Sequence, residues 1–303
     1  AVRWPRWHLY RAPDPWPAVV ERGLRGREGV FHATQPALVP RGEAVVATCY
    51  DLIPLRYPRW YLNGPSRAAE RRAYSRYLER LRGARLVWAI SEETKRDAVR
   101  LAGADPARVR VVPLAAAPEV APDGEVPDEP YVLFAGGSEP HKNATVALEA
   151  IARSPGDAKL VMTGAWSPRR AERMRRRARG LGAADRVEWL GWVSPGRMAA
   201  LRGGAAAVLV PSWAEGFGLP VLEAMRSGVP ALASDIPALR EAGGDAAVYL
   251  PPADAAAWAA AIDEAVGGGR REELAAAGRA QADAFSWEAT AWAVNRLYEE
   301  AAA

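Results

Sequence analysis

Six short, mostly apolar runs, at 131–135, 159–163, 187–190, 207–210, 230–233 and 247–250, are separated by segments of helical periodicity. Short apolar runs of this kind read as strands buried on both faces, and helical connections between them bring successive strands in parallel. The pattern therefore predicts repeated βα units around a parallel sheet. The upstream half carries the same pattern more sparsely, with strands over 30–32, 44–48 and 86–90 and helices over 66–81 and 91–101, the second capped by Ser91. Between the halves stand Pro113, Pro118, Pro122, Pro127 and Pro130, too many prolines for a helix or a central strand. This spacing predicts two Rossmann-like, doubly wound domains, over 1–115 and 131–285, joined by an extended linker over 116–130. A last helix, capped by Ser286 and running from Trp287, aligns Trp287, Ala291, Val294, Leu297 and Tyr298 in an apolar stripe that needs a surface to cover it.

A length of 303 residues fits two such domains. The single cysteine excludes a disulfide framework and a Cys-based zinc site, and makes a reducing compartment the simplest setting. No run of about 18 apolar residues occurs, and no charged-then-apolar leader opens the chain. Charge is divided unevenly: residues 1–121 hold 21 Lys+Arg against 12 Asp+Glu, net +9, whereas 122–303 hold 19 against 24, net −5. The basic half suits an anionic partner such as a membrane surface, a lipid phosphate or nucleic acid. A compositional preference for arginine accounts for it equally well, since 37 arginines accompany only three lysines, Lys95, Lys142 and Lys159.

In an open parallel sheet, ligands sit beyond the carboxyl ends of the strands, so the residues just after each strand carry the chemistry. The run at 131–135 ends in Gly136-Gly137-Ser138-Glu139-Pro140-His141-Lys142-Asn143 and enters a helix over 144–152. Paired glycines allow close backbone approach to a ligand, and a compact ammonium at a helix mouth suits a diphosphate. A solvated lysine in an ordinary turn is the alternative. Neither the Walker loop nor the dinucleotide G-x-G-x-x-G pattern is present. After 207–210 comes Pro211-Ser212-Trp213-Ala214-Glu215-Gly216-Phe217-Gly218-Leu219-Pro220-Val221-Leu222-Glu223-Ala224-Met225. Proline near its first turn marks a helix start, which leaves the amides of Phe217, Gly218 and Leu219 available to an anion. Glu215 and Glu223 flank this turn, and carboxylates are good acceptors for vicinal hydroxyls.

The Glu215 to Glu223 segment resembles the E-x7-E motif of family 4 retaining glycosyltransferases of the GT-B fold. Gly136 to Asn143 is similar to that family's donor loop. Further matches are Thr48-Cys49-Tyr50-Asp51-Leu52-Ile53-Pro54, Ala89-Ile90-Ser91-Glu92, Val111-Val112-Pro113 and Arg186-Val187-Glu188-Trp189-Leu190-Gly191. The resemblance runs from about Val30 to the C-terminus. It implies an α/β GT-B protein whose two Rossmann-like domains face a cleft, with the last helix crossing back onto the first domain. It implies a hexosyl transfer from a GDP- or UDP-linked sugar to a glycan or lipid-linked acceptor, with retention, in a setting such as bacterial polysaccharide biosynthesis. By the same resemblance, Lys142 and the amides of Phe217, Gly218 and Leu219 hold the diphosphate beside Gly136 and Gly137, Glu215 contacts the donor sugar, and Glu223 holds the ribose. Neither a metal nor a separate cofactor is expected, and no nucleic acid partner. The implied setting is cytoplasmic, with the basic half lying peripherally against an anionic inner membrane face.

Three departures stand out. Gly137 and Ser138 occupy positions where the family often has an arginine, which makes His141 the local substitute. Tyr50 replaces the usual histidine before Asp51, leaving Asp51 as the residue that accepts from a hydroxyl. Only about 30 residues precede the first strand, so the N-terminal domain is expected to be short through loss of its native beginning. His32, at a strand end, lines the acceptor side or is an ordinary strand-end histidine. Two other readings fit the same residues: a sugar-nucleotide epimerase, and a non-catalytic nucleotide-sugar or glycan-binding module.

Overall fold

A computed structural model describes residues 29–34 and 45–303. The chain divides into two compact units, one built from the N-terminal part up to Leu114 together with Trp287–Ala303, the other from Ala115–Ser286.

The described part of the first unit holds four parallel strands, β1 (Phe31–Ala33), β2 (Val45–Cys49), β3 (Leu86–Ala89) and β4 (Val109–Val111), in the spatial order β1-β2-β3-β4. Strands β2 and β3 are buried along their whole length, as expected of a sheet covered on both faces. Their side chains pack with Tyr77 and Leu81 of helix Ala68–Gly83 and with Ala98 of helix Glu92–Arg100. Ser91 caps the latter helix, its hydroxyl accepting from Thr94 N at 3.0 Å. Among the described residues these strands lie side by side in chain order, a parallel sheet of the Rossmann-like kind expected.

The closing helix Trp287–Ala302 belongs to the first unit. It buries Thr290, Val294, Leu297 and Ala301, while Trp287 and Trp292 stay exposed. Thr290 donates to Pro113 O at 2.8 Å, and Arg110 forms an ion pair with Glu300. His32, at the centre of β1, lies 2.7 Å from both Tyr298 Oη and Thr48 Oγ1. With both ring nitrogens in hydrogen-bond contact inside its own unit, His32 ties sheet to helix, in keeping with the reading of an ordinary structural histidine.

In the second unit six parallel strands, β5 (Tyr131–Ala135), β6 (Lys159–Thr163), β7 (Val187–Gly191), β8 (Ala207–Val210), β9 (Ala231–Ser234) and β10 (Val248–Leu250), stand in the order β10-β9-β8-β5-β6-β7. Numbered from β5, this is the 3-2-1-4-5-6 order of the dinucleotide-binding folds, and the chain reverses direction between β5 and β8. Helices Ala144–Arg153 and Ala255–Gly267 pack on this sheet around the fully buried Trp258, Leu148 and Ile151. The proline-rich segment departs from the expectation of a separate linker. It belongs to the second unit, where Asp123 N donates to Gly196 O at 3.1 Å and the Arg197 side chain closes on Gly124.

Candidate functional site

The residues singled out in the second unit's donor loop and E-x7-E segment converge where the sheet reverses, in the loops that follow β5 and β8. After β5 the chain makes a short 3-10 turn, Pro140–Lys142, and Asn143 takes a left-handed conformation (φ 55°) before the helix. The Asn143 amide donates to Pro211 O at 3.0 Å and to Pro252 O at 2.7 Å, and Trp213 N donates to His141 O at 2.7 Å. Three loops are thereby tied into one frame. Gly136 and Gly137 are required sterically: a Cβ on Gly136 would stand 2.8 Å from the Phe134 ring, and one on Gly137 would strike the Glu139 carboxylate and Ala165 O.

Lys142 Nζ lies 2.8 and 2.9 Å from the two Glu215 oxygens, and Ser212 Oγ donates to Glu215 Oε1 at 2.6 Å. Burial alone would raise the Glu215 pKa, but the Lys142 ammonium, helped by His141 and the two hydrogen-bond donors, outweighs it and holds the carboxyl below its ordinary value. His141 is driven the other way. Burial, reinforced by the Lys142 charge, lowers its pKa to about 4, so without a ligand it is neutral at physiological pH.

Gly218 caps helix Leu219–Arg226 at φ 122°, with Pro220 in the first turn. Among the described residues, the amides of Phe217, Gly218 and Leu219 donate to no protein acceptor. Phe217 is buried and packs edge-on against Phe285, which fixes the turn. Glu223 lies further along this helix and accepts from Arg202 at 2.8 Å, while Arg202 Nε donates to Ser227 Oγ at 2.9 Å. Burial raises the Glu223 pKa against the opposing pull of Arg202.

Asp51 belongs to the first unit, following β2, where its Oδ1 accepts from Ile53 N at 3.0 Å. Sequence reasoning missed Ser212, Asn143 as a clamp, and Arg202. The first two stand beside recognised residues, whereas Arg202 is 21 positions from Glu223 and carries no local signal.

The fold is thus of the GT-B class, with two Rossmann-like units of parallel sheet, the second carrying a lysine–carboxylate pair at its switch point. Solved structures bear this out. The chain superposes on sucrose-phosphate synthase from Thermosynechococcus elongatus with a TM-score of 0.80, at 22% identity, over 99% of this chain and 80% of that one. Anabaena Alr3699/HepE, solved with UDP and glucose, gives 0.72 at 18% identity over 93% and 81%. The family model described as "Glycosyl transferases group 1" matches residues 119–281, and the chain belongs to that family. Among curated relatives, O-antigen chain mannosyltransferase B of Escherichia coli is 28% identical over 280 residues, which is 86% of this chain and 72% of the relative. D-inositol 3-phosphate glycosyltransferase of Nocardia farcinica is 34% identical over 234 residues, 70% of this chain and 52% of the relative. The chain spans about half the length of such inositol-phosphate enzymes.

Proposed function

We propose that the chain transfers a hexosyl group from a GDP- or UDP-linked donor to a glycan or lipid-linked acceptor with retention. The observation that carries this reading is the partly buried Lys142–Glu215 pair, set at the switch point beside a helix start whose first amides donate to no acceptor among the described residues. Lys142 and the amides of Phe217, Gly218 and Leu219 neutralise the diphosphate as it departs. Glu215, kept ionised, accepts from donor-sugar hydroxyls, and Glu223 accepts from the ribose. Gly136 and Gly137 admit the ligand close to the backbone, and His141 packs beside Lys142 in the buried part of the loop. The anomeric carbon–oxygen bond to phosphate breaks with its electron pair on the phosphate. The acceptor oxygen bonds to that carbon, and its proton passes to the departing diphosphate. Asp51 accepts from the incoming hydroxyl, and the scheme uses no metal or cofactor.

The relatives named above include an O-antigen mannosyltransferase and an inositol-phosphate glycosyltransferase, which supports a hexose donor and a polar or lipid-borne acceptor. The basic first unit, with exposed Arg71, Arg72 and Arg76, suits peripheral contact with an anionic membrane on its cytoplasmic side. Among the described residues no helix is long and apolar enough to cross a membrane.

Calorimetry with UDP, GDP and their hexose conjugates, followed by product analysis with mixed acceptors, tests the reading. Binding that persists in both Lys142→Ala and Glu223→Ala overturns the site. Donor binding with neither transfer nor hydrolysis would assign the fold to a binding module instead.

A further inference from the structure

Helix Pro168–Gly180, which follows β6, carries seven arginines and one glutamate. The rest of 122–303 holds 12 Lys+Arg against 23 Asp+Glu, so this helix is a concentrated positive face on an otherwise acidic unit. Ala171, Met174 and Ala178 form its buried line. At 3.6 residues per turn, Arg169, Arg173 and Arg176 fall on the opposite line, farthest from the core. All three are exposed, and among the described residues none has a hydrogen bond, ion pair or ring contact. The arginines to either side are engaged: Arg177 pairs with Glu149, Arg179 pairs with Glu172, and Arg175 lies over the Trp189 ring at 5.6 Å. Like charges three and four positions apart repel and weaken a helix, so local stability gives no reason for this line. A general preference for arginine does not place it either, since helix Ala255–Gly267, equally long, contains none.

A second observation lies beside the helix. Trp192, just beyond β7, is 68% exposed. Its neighbour Gly191 accepts from Gly164 N at 2.7 Å, which ties this stretch to the loop that enters the helix. Trp166 of that loop meets Trp189 of β7 edge-on, with ring centroids 5.7 Å apart. Tryptophans and arginines therefore share one border of the unit, where β7 is the last strand of the sheet. Tryptophan collects at the boundary between bilayer and water, and each cation near an anionic leaflet adds to the attraction.

We propose that this border of the second unit, through Arg169, Arg173, Arg176 and Trp192, docks on the headgroups of an anionic bilayer. An anionic plane that approaches from one side meets this face alone, whereas a long polyanion such as RNA runs past it and meets the acidic remainder. The contact is on a different unit from Arg71, Arg72 and Arg76, and it does not rest on the donor-site reading. Sedimentation of the full chain with vesicles of phosphatidylcholine, or of an equimolar mixture with phosphatidylglycerol, tests it. The native chain is expected to bind the mixed vesicles and to be released by salt. Replacing Arg169, Arg173 and Arg176 together by glutamine is expected to weaken that binding about 30- to 100-fold, and Trp192→Ala about 3- to 10-fold. Replacing the same three by lysine keeps the charge and should preserve binding, which guards against a folding defect. Glutamine at Arg153, Arg226 and Arg279, exposed positions elsewhere on this unit, removes equal charge and should cost less than about threefold. Unchanged binding in the helix variant overturns the proposal, as does an equal loss in both glutamine triples, the mark of net charge alone. A native chain that ignores the mixed vesicles, or binds single-stranded RNA instead, overturns it too. A loss confined to glutamine at Arg71, Arg72 and Arg76 places the contact on the first unit and overturns the role of this helix.

Discussion

Glu215 is a buried carboxylate whose charge state is decided by one lysine. Its folded pKa lies below the unfolded value, so the stability it contributes is present above the ordinary carboxylate range and lost as pH falls through the folded pKa. Lys142→Met removes the partner and leaves the carboxylate buried and uncompensated. Chemical denaturation at neutral pH should show a loss of about 3 kcal/mol, and turnover should fall about 10²- to 10³-fold. His141 gives a separate signature. With an unfolded value of 6.5 and a folded value of about 4, it takes up protons more readily in the unfolded chain as pH falls through that window. Stability referable to it is full above 6.5 and declines toward 4. Between pH 7 and 4.5 the native chain should lose about 2–3 kcal/mol more than His141→Asn, measured by urea unfolding at both values. Lys142 was legible in the sequence because a rare residue type stood after a strand beside glycines, and Glu215 because it stood at motif spacing from Glu223 across a Gly-x-Gly turn. The neutrality of His141 was not, since charge state depends on burial by loops distant in the chain.

At the scale of elements, the turn Glu215–Leu219 and its helix work as a unit. A Cβ on Gly218 would meet Leu239 at 2.9 Å and Ala242 at 3.1 Å, at a backbone angle that side chains rarely adopt. Gly218→Ala should therefore cost about 2–4 kcal/mol and weaken nucleoside diphosphates more than nucleosides, as thermal unfolding and calorimetry would report. Helix Pro195–Gly204 reaches Glu223 through Arg202. Without Arg202 nothing opposes the burial that raises the Glu223 pKa, so in Arg202→Met the acid limb of the binding profile should move to higher pH. An unmoved limb would show that Arg202 does not set the charge of Glu223. The six strands of the second unit were readable almost residue for residue because each is a short, mostly apolar run. Strand β4, three residues long with Arg110 at its centre, gave no such run and was missed. The alternation of strands and helices likewise leaves spatial order open, so the order of the strands had to be seen.

At the scale of the whole molecule, the second unit is one continuous stretch and the first is not. A fragment over 115–286 should fold alone with a single cooperative transition and keep part of the nucleotide affinity, whereas a chain ending at 286 should lose the transition that belongs to the first unit. Calorimetric scans of both fragments check this. The apolar stripe of the last helix signalled that a partner surface was needed, and its assignment to the first unit became visible only through contacts of His32 and Pro113 with residues far along the chain. That discontinuity also orders the protein's synthesis. The 115–286 unit has all its residues once they clear the ribosome, but the first unit, although translated earlier, must wait for Thr290, Tyr298 and Glu300 to emerge before its sheet is covered. The half made first is therefore completed after the second, and until the closing helix emerges its uncovered sheet is a part of the nascent chain that a chaperone would shield.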